Sequence, residues 1–304
     1  MRIISISIVI AAIAVGVVAG QAPPQGGRGR GAAAPPRTPR AAAPVDFAGT
    51  WVALVTEDWR WRMVTPRPRD YASVPLSGEA RKIADAWDLE KDNAAGNQCK
   101  AFGVGGIMRQ PGRIRIGWQD DTTLKLEFDA GTQTRLLHFN STAPAPAAKT
   151  WQGHSLAIWE GPGFGARGEA PPGPAAGPAG QVVVPGGGGQ GLRGGPPPRG
   201  RASINSGGSI KVVTTGMREG YLRKNGVPYS EAATITEYFH RLPTHPNGDV
   251  YMNVITIVDD PRYLSQSFYT STNFKLEADG SRFAPTACTT APVLPVVARP
   301  APAK

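Results

Sequence analysis

Gly and Pro are clustered in this chain, and the clusters decide how much of it can build a core. Between positions 161 and 208, 17 of 48 residues are Gly and 9 are Pro. Residues 21–45 are mostly Pro, Ala, Gly and Arg, and residues 289–304 are mostly Ala, Pro and Val. Such segments carry too little apolar surface to offset the entropy of ordering, so all three are expected to be disordered. No strict Gly-X-Y period runs through them, which excludes a collagen helix. What remains is two blocks, 46–160 and 209–288, together large enough for one core.

The same partition disposes of the charge. The chain carries a net charge of +10, yet the two foldable blocks hold 22 basic and 22 acidic residues and are neutral. The excess lies in the Gly/Pro segments and at the termini, so no folded basic face is left for a nucleic-acid groove. Met1-Arg2, the apolar run Ile3 to Val18 and the small residues Val18-Ala19-Gly20 read as a signal peptide over 1–20. The mature protein is therefore expected to be periplasmic or secreted, with no integral membrane span after cleavage. The two cysteines, Cys99 and Cys288, are not in a C-x-x-C pair. In an exported chain their even number suggests one disulfide, two buried thiols being the alternative.

Short apolar runs separated by turn residues dominate both blocks. Gly49–Glu57, Arg113–Trp118, Thr123–Phe128, Gln133–Phe139, Gly153–Glu160, Ser209–Thr215, Ala232–His240, Val250–Val258 and Ser267–Leu276 read as strands. Ser77 can cap one short helix, in which Ala80, Ile83, Ala84 and Trp87 recur at helical spacing. The fold expected is all-β and mainly antiparallel: an up-and-down β-barrel of eight or nine strands, a single domain over 46–288. The segment 161–208 falls where two strands should meet, so it reads as an insertion in a turn.

A set of short motifs carries a resemblance. They are Asp46-Phe47-Ala48-Gly49-Thr50-Trp51, Glu57-Asp58-Trp59-Arg60-Trp61-Arg62-Met63, Cys99 with Met108-Arg109, Trp151-Gln152-Gly153-His154-Ser155, Thr236-Glu237-Tyr238-Phe239, Asp259-Asp260-Pro261 and Cys288. In these the chain resembles a large group of uncharacterised secreted proteins of Gram-negative bacteria, which implies export and fold but no activity. Phe47-x-Gly49-x-Trp51 is also similar to the lipocalin opening. That resemblance implies a barrel whose floor is plugged by Trp51 and covered by an Arg, here Arg282.

Several residues carry possible chemistry. If Trp59–Met63 is extended, Trp59, Trp61 and Met63 face one side and Arg60 and Arg62 the other. The indoles would then stack on a flat ligand while an arginine at the rim held a carboxylate. Arg109, His154, Trp159 and Tyr229 complete this ligand-binding set, and Tyr221, Arg223, Lys224 and Tyr229, which flank Asn225-Gly226, are candidates to rim a pocket mouth. His154, which shares a strand face with Leu156 and Ile158, is a candidate general base. Glu237 and Asp260 are the candidate carboxylates. His240, His245 and Asp249 surround a Pro-containing loop whose spacing presets no metal geometry, so no metal and no cofactor is expected.

The leading expectation is an exported barrel that binds a small, partly apolar molecule in its interior, without catalysis. A cofactor-independent lyase, isomerase or hydrolase would instead need His154 and Glu237 or Asp260 to converge, with Arg60 or Arg109. A third reading is an envelope interaction protein that works through its Gly/Pro/Arg segments.

Overall fold

The computed structural model describes residues 37–160 and 208–289. The signal peptide expected over 1–20, residues 21–36, the bulk of the insertion and the tail beyond 289 lie outside them. Nine strands close into one barrel: β1 (Gly49–Leu54), β2 (Arg113–Trp118), β3 (Thr123–Phe128), β4 (Gln133–His138), β5 (His154–Glu160), β6 (Gly208–Thr215), β9 (Thr234–Arg241), β10 (Tyr251–Asp259) and β11 (Phe268–Leu276). A separate hairpin, β7 (Gly220–Arg223) with β8 (Val227–Tyr229), is set between β6 and β9. All nine barrel strands coincide with runs legible in the sequence.

Around the barrel the order is β1-β11-β10-β9-β6-β5-β4-β3-β2. Eight of these contacts are antiparallel and one, β4 with β5, is parallel. An odd number of strands cannot alternate direction all the way round, so a closed nine-stranded barrel must contain such a seam. It departs from a pure up-and-down meander because residues 139–153 carry the chain back along the barrel before β5 begins. The seam is short, with Leu137 opposite Ser155 and His138 opposite Leu156. On its other side β5 pairs with β6 from His154–Thr215 down to Glu160–Ser209, so the ends flanking the insertion are adjacent.

Alternation places Trp51, Ile114, Ile116, Leu124, Leu126, Phe128, Leu137, Ala157, Trp159, Val212, Phe239, Val254 and Phe274 in one buried cluster inside the barrel. Trp51 is fully buried and its indole N–H donates to Phe47 O at 2.9 Å. Arg282, the expected cover for Trp51, is instead exposed on an outer groove beside Asp249 and Lys275. Residues 37–45, expected to belong to a linker, pack on the barrel. Val45 is buried, Trp159 donates to Pro39 O at 2.9 Å, and Arg40 N donates to Asp121 O at 3.1 Å.

One end of the barrel is capped by residues 55–112 and by the β7–β8 hairpin. Four short helices occur among the described residues, α1 (Trp59–Arg62), α2 (Gly78–Asp85), α3 (Leu89–Ala94) and α4 (Val104–Ile107), where the sequence indicated one. That one is α2, with Ser77 Oγ accepting from Ala80 N. The cap has its own core of Leu76, Ala80, Ala84, Leu222, Val227 and Tyr229 against Ile235, Val258 and Phe268 of the barrel. Cys99 of the cap is disulfide-bonded to Cys288, with Cα atoms 5.1 Å apart. The C-terminal segment is held at the same end of the barrel by Thr286 N donating to Asp129 O at 2.8 Å. No helix among the described residues is long and apolar enough to cross a membrane.

Candidate functional site beneath the cap

The barrel interior, where a ligand was expected, is occupied by the core side chains. At its capped end the interior also holds a buried ion pair. Arg135 Nη2 donates to Glu237 Oε2 at 2.6 Å, both side chains being wholly buried. The same nitrogen reaches Ser155 Oγ and Thr214 Oγ1 at 3.4 Å each. This network ties β4, β5, β6 and β9 together from within, which gives Glu237 a structural partner rather than a substrate.

The candidate catalytic group does not assemble. Ser155, Ala157 and Trp159 point into the barrel, so His154 points out of it, opposite in sense to Glu237. His154 stacks on His138 across the β4–β5 seam, ring centroids 5.3 Å apart. Burial and the neighbouring His154 hold His138 below the usual histidine range. Asp260 is buried just beyond β10 and accepts from Ser230 N at 2.6 Å, Ser230 Oγ at 2.8 Å, Arg262 N at 3.0 Å and Tyr263 N at 3.1 Å. Its lone pairs are spent on fixing the turn. His240 pairs with Ser209 Oγ, while Asn247 bonds both His245 and Asp249, and Asp249 also meets Lys275 and Tyr251; among the described residues no three such side chains are grouped to hold a metal ion.

The tryptophan–arginine run does form a site, by a different geometry from the one expected. Asp58 adopts a left-handed backbone with φ 51°, and Trp61 N and Arg62 N then donate to its carbonyl. The run is a single helical turn, not a strand. Trp59 and Met63, one turn apart, are therefore exposed, at 64% and 52%. Arg62 faces inward and is 1% exposed. Its guanidinium donates to Glu57 Oε1 at 2.8 Å, to Arg109 O at 3.2 Å and to Leu54 O at 3.4 Å.

Four more cations gather round it. Arg60 pairs with Asp70 at 2.6 Å, and Trp61 donates its indole N–H to the same carboxylate at 3.1 Å. Arg109 pairs with Asp58 at 2.5 Å and donates to Ser271 O on β11 at 2.7 Å. Arg223, from β7, lies over the Trp61 ring 4.3 Å from its centre and donates to Ser73 Oγ at 3.2 Å. Lys224 donates to Arg62 O at 3.0 Å. Arg62, Gly105, Arg109, Leu222, Arg223 and Trp61 line a cavity of about 20 Å3, closed on the barrel side by Val258, Phe268 and Thr270.

The electrostatics of this cluster are strained. Burial, reinforced by Arg109 and opposed by Glu57 and Asp58, pushes Arg62 down to about 10. Burial likewise brings Arg223 to about 10, with Asp58 and Asp70 working against it and Arg109 and Arg60 with it. Lys224 is lowered by burial and by Arg62. Asp70 is lowered despite a burial effect in the other direction, because Arg60 and Trp61 hydrogen-bond its charged form. Arg62 Nη2 and Arg223 Nη1 are buried with no hydrogen-bond partner in the protein.

Of the expected ligand-binding set, the structure brings together Trp61, Arg62 and Arg109, with Arg60 at the edge. Tyr229 is fully buried just behind them: a Cβ on Gly105 would come within 2.6 Å of its ring. Trp159 is at the opposite end of the barrel, in a cluster with Phe47, Trp118 and Phe139. Arg223 and Lys224, which as neighbours of Asn225-Gly226 are candidates to rim a pocket mouth, stand at this cluster, and Arg223 lines the cavity. Gly226 has φ 77°, and any side chain there would overlap Trp87. Comparison with protein-family models, curated proteins and solved structures finds no match to this chain.

Proposed function

We propose that this is an exported, non-catalytic binding protein whose small, partly apolar ligand docks beneath the cap, at the mouth of the barrel rather than inside it. The observation that carries this reading is the pair of buried guanidinium groups, Arg62 and Arg223, each with an N–H that no protein atom accepts. Buried polar hydrogens are almost always paired, so two unpaired guanidinium nitrogens on one cavity call for a partner from outside the protein. Apolar walls beside convergent donors are what small-molecule sites have in common. Export is supported by the Cys99–Cys288 disulfide, a bond that persists in oxidising compartments.

The test is native against denaturing mass spectrometry on protein purified from the exporting host, wild type beside Trp61→Ala. A small-molecule mass that leaves on denaturation and is missing from the variant is the expected result. Retention of the same mass by Trp61→Ala would place the ligand elsewhere and end this reading.

A further inference from the structure

On the reading that the cleft beneath the cap is the ligand site, we propose that the group it holds is a single carboxylate on an apolar body, received between Arg62 Nη2 and Arg223 Nη1. Glu57, Asp58 and Asp70 are each already paired with one arginine, Arg62, Arg109 and Arg60 respectively. Arg223 and Lys224 have only neutral oxygens as hydrogen-bond acceptors, Ser73 Oγ and Arg62 O. The five cations thus exceed the three carboxylates by two, in a place where burial weakens solvent screening. An anion is the complement that lowers the energy of such a cluster most, through charge-assisted hydrogen bonds.

Size and lining select among anions. A cavity of about 20 Å3 accepts one or two water-sized atoms, since a single water needs roughly 10–15 Å3 on this measure. Two carboxylate oxygens answer two unpaired guanidinium nitrogens. A phosphate or sulfate would press its remaining oxygens against Leu222, Val258 and Phe268, where they would go unpaired. The lining residues that reach solvent include Trp61, Arg109 and Thr270, so the body of the ligand leaves past the Trp61 ring. That ring has Arg223 over it at 4.3 Å and Arg60 at 4.8 Å, so it helps to hold both guanidinium groups in place before anything binds.

The test uses the intact, oxidised protein and sodium benzoate as the probe, with benzamide as its neutral isostere. Sodium chloride and inorganic phosphate are compared at matched ionic strength, and binding is followed by calorimetry and tryptophan fluorescence. Benzoate is expected to bind saturably and at least tenfold more tightly than benzamide, phosphate or chloride. Both Arg223→Met and the charge-conserving Arg223→Lys are expected to lose tenfold or more, because a lysine cannot reproduce the fixed fork. Benzamide binding as tightly as benzoate, with both lost in Trp61→Ala, would overturn the carboxylate assignment and leave the cleft as the site. Phosphate or chloride matching benzoate would overturn it in favour of an inorganic anion. No saturable response to benzoate, or a response untouched by either Arg223 variant, would also overturn it. The mass-spectrometric comparison of wild type with Trp61→Ala then decides the cleft separately.

Discussion

Arg223 lies over Trp61, its guanidinium carbon 4.3 Å from the ring centre, although 161 residues of chain separate them. The contact joins the β7 strand of the cap to the one-turn helix α1, and it brings a second buried guanidinium to the cavity that Arg62 also lines. Two buried cations on one small cavity oppose folding unless something else makes use of them. A site that sacrifices stability for recognition has a measurable signature in the ligand-free protein.

In ligand-free protein, Arg223→Met is expected to leave stability unchanged or raise it by up to roughly 2 kcal/mol, since an apolar side chain of similar length replaces an unmatched buried charge. Urea unfolding of wild type and variant, both stripped of small molecules, measures this. A loss of more than about 1 kcal/mol would mean that Arg223 is a structural residue and not a reserved donor.

The Arg135–Glu237 pair should behave in the opposite way. Glu237→Gln leaves Arg135 buried without its counter-charge, and a loss of about 3–5 kcal/mol is expected. Replacing both residues together, with Met and Leu, should recover much of that loss. Benzoate affinity in Glu237→Gln, measured under conditions where the protein remains folded, should match wild type. A Glu237→Gln variant that kept its stability but lost binding would move the site into the barrel.

The His138–His154 stack gives the β4–β5 seam a pH dependence whose sign is set by burial. His138 titrates below its ordinary value of 6.5 in the folded protein because burial and His154 disfavour its charged form. Between the folded and unfolded values the unfolded chain binds more protons, so stability rises with pH across that window. The contribution is fully present above pH 6.5 and is lost as pH falls toward the folded value. Thermal melts from pH 5 to 8 should show this slope, and His138→Phe should flatten it. An unchanged slope in the variant would assign the dependence to other groups.

Reduction of Cys99–Cys288 opens a loop of 189 residues and should lower stability by as much as about 5 kcal/mol in the chain-entropy model. The bridge anchors the segment just before α4, so the cap should loosen before the barrel does. Hydrogen exchange with and without a reductant should show protection lost first at Lys100–Arg109. Uniform loss across all nine strands would mean that cap and barrel unfold as one unit.

Much of the barrel is legible in the chain because alternation and turn chemistry are local. Leu124, Leu126 and Phe128 face inward at every second position, and Gln119-Asp120-Asp121 and Asp129-Ala130-Gly131 mark the turns. The parallel seam is not local: it follows from the number of strands that close, which no single strand reveals. The β7–β8 hairpin has all seven strand residues buried, so it lacks the alternation that marks a half-exposed strand. At the site, spacing alone cannot separate a strand from a helical turn over Trp59–Met63. What decides it is the left-handed turn at Asp58 and the acceptors for Arg62, of which Arg109 O comes from 47 residues away. The residue types were readable there, but their direction was not.

The most direct measurement is a crystal structure of the oxidised protein with benzoate bound. Carboxylate oxygens are expected within hydrogen-bond distance of Arg62 Nη2 and Arg223 Nη1, with the aromatic ring leaving past the edge of Trp61. Benzoate found inside the barrel against Arg135, or bound with both of those nitrogens still unpaired, would contradict this assignment.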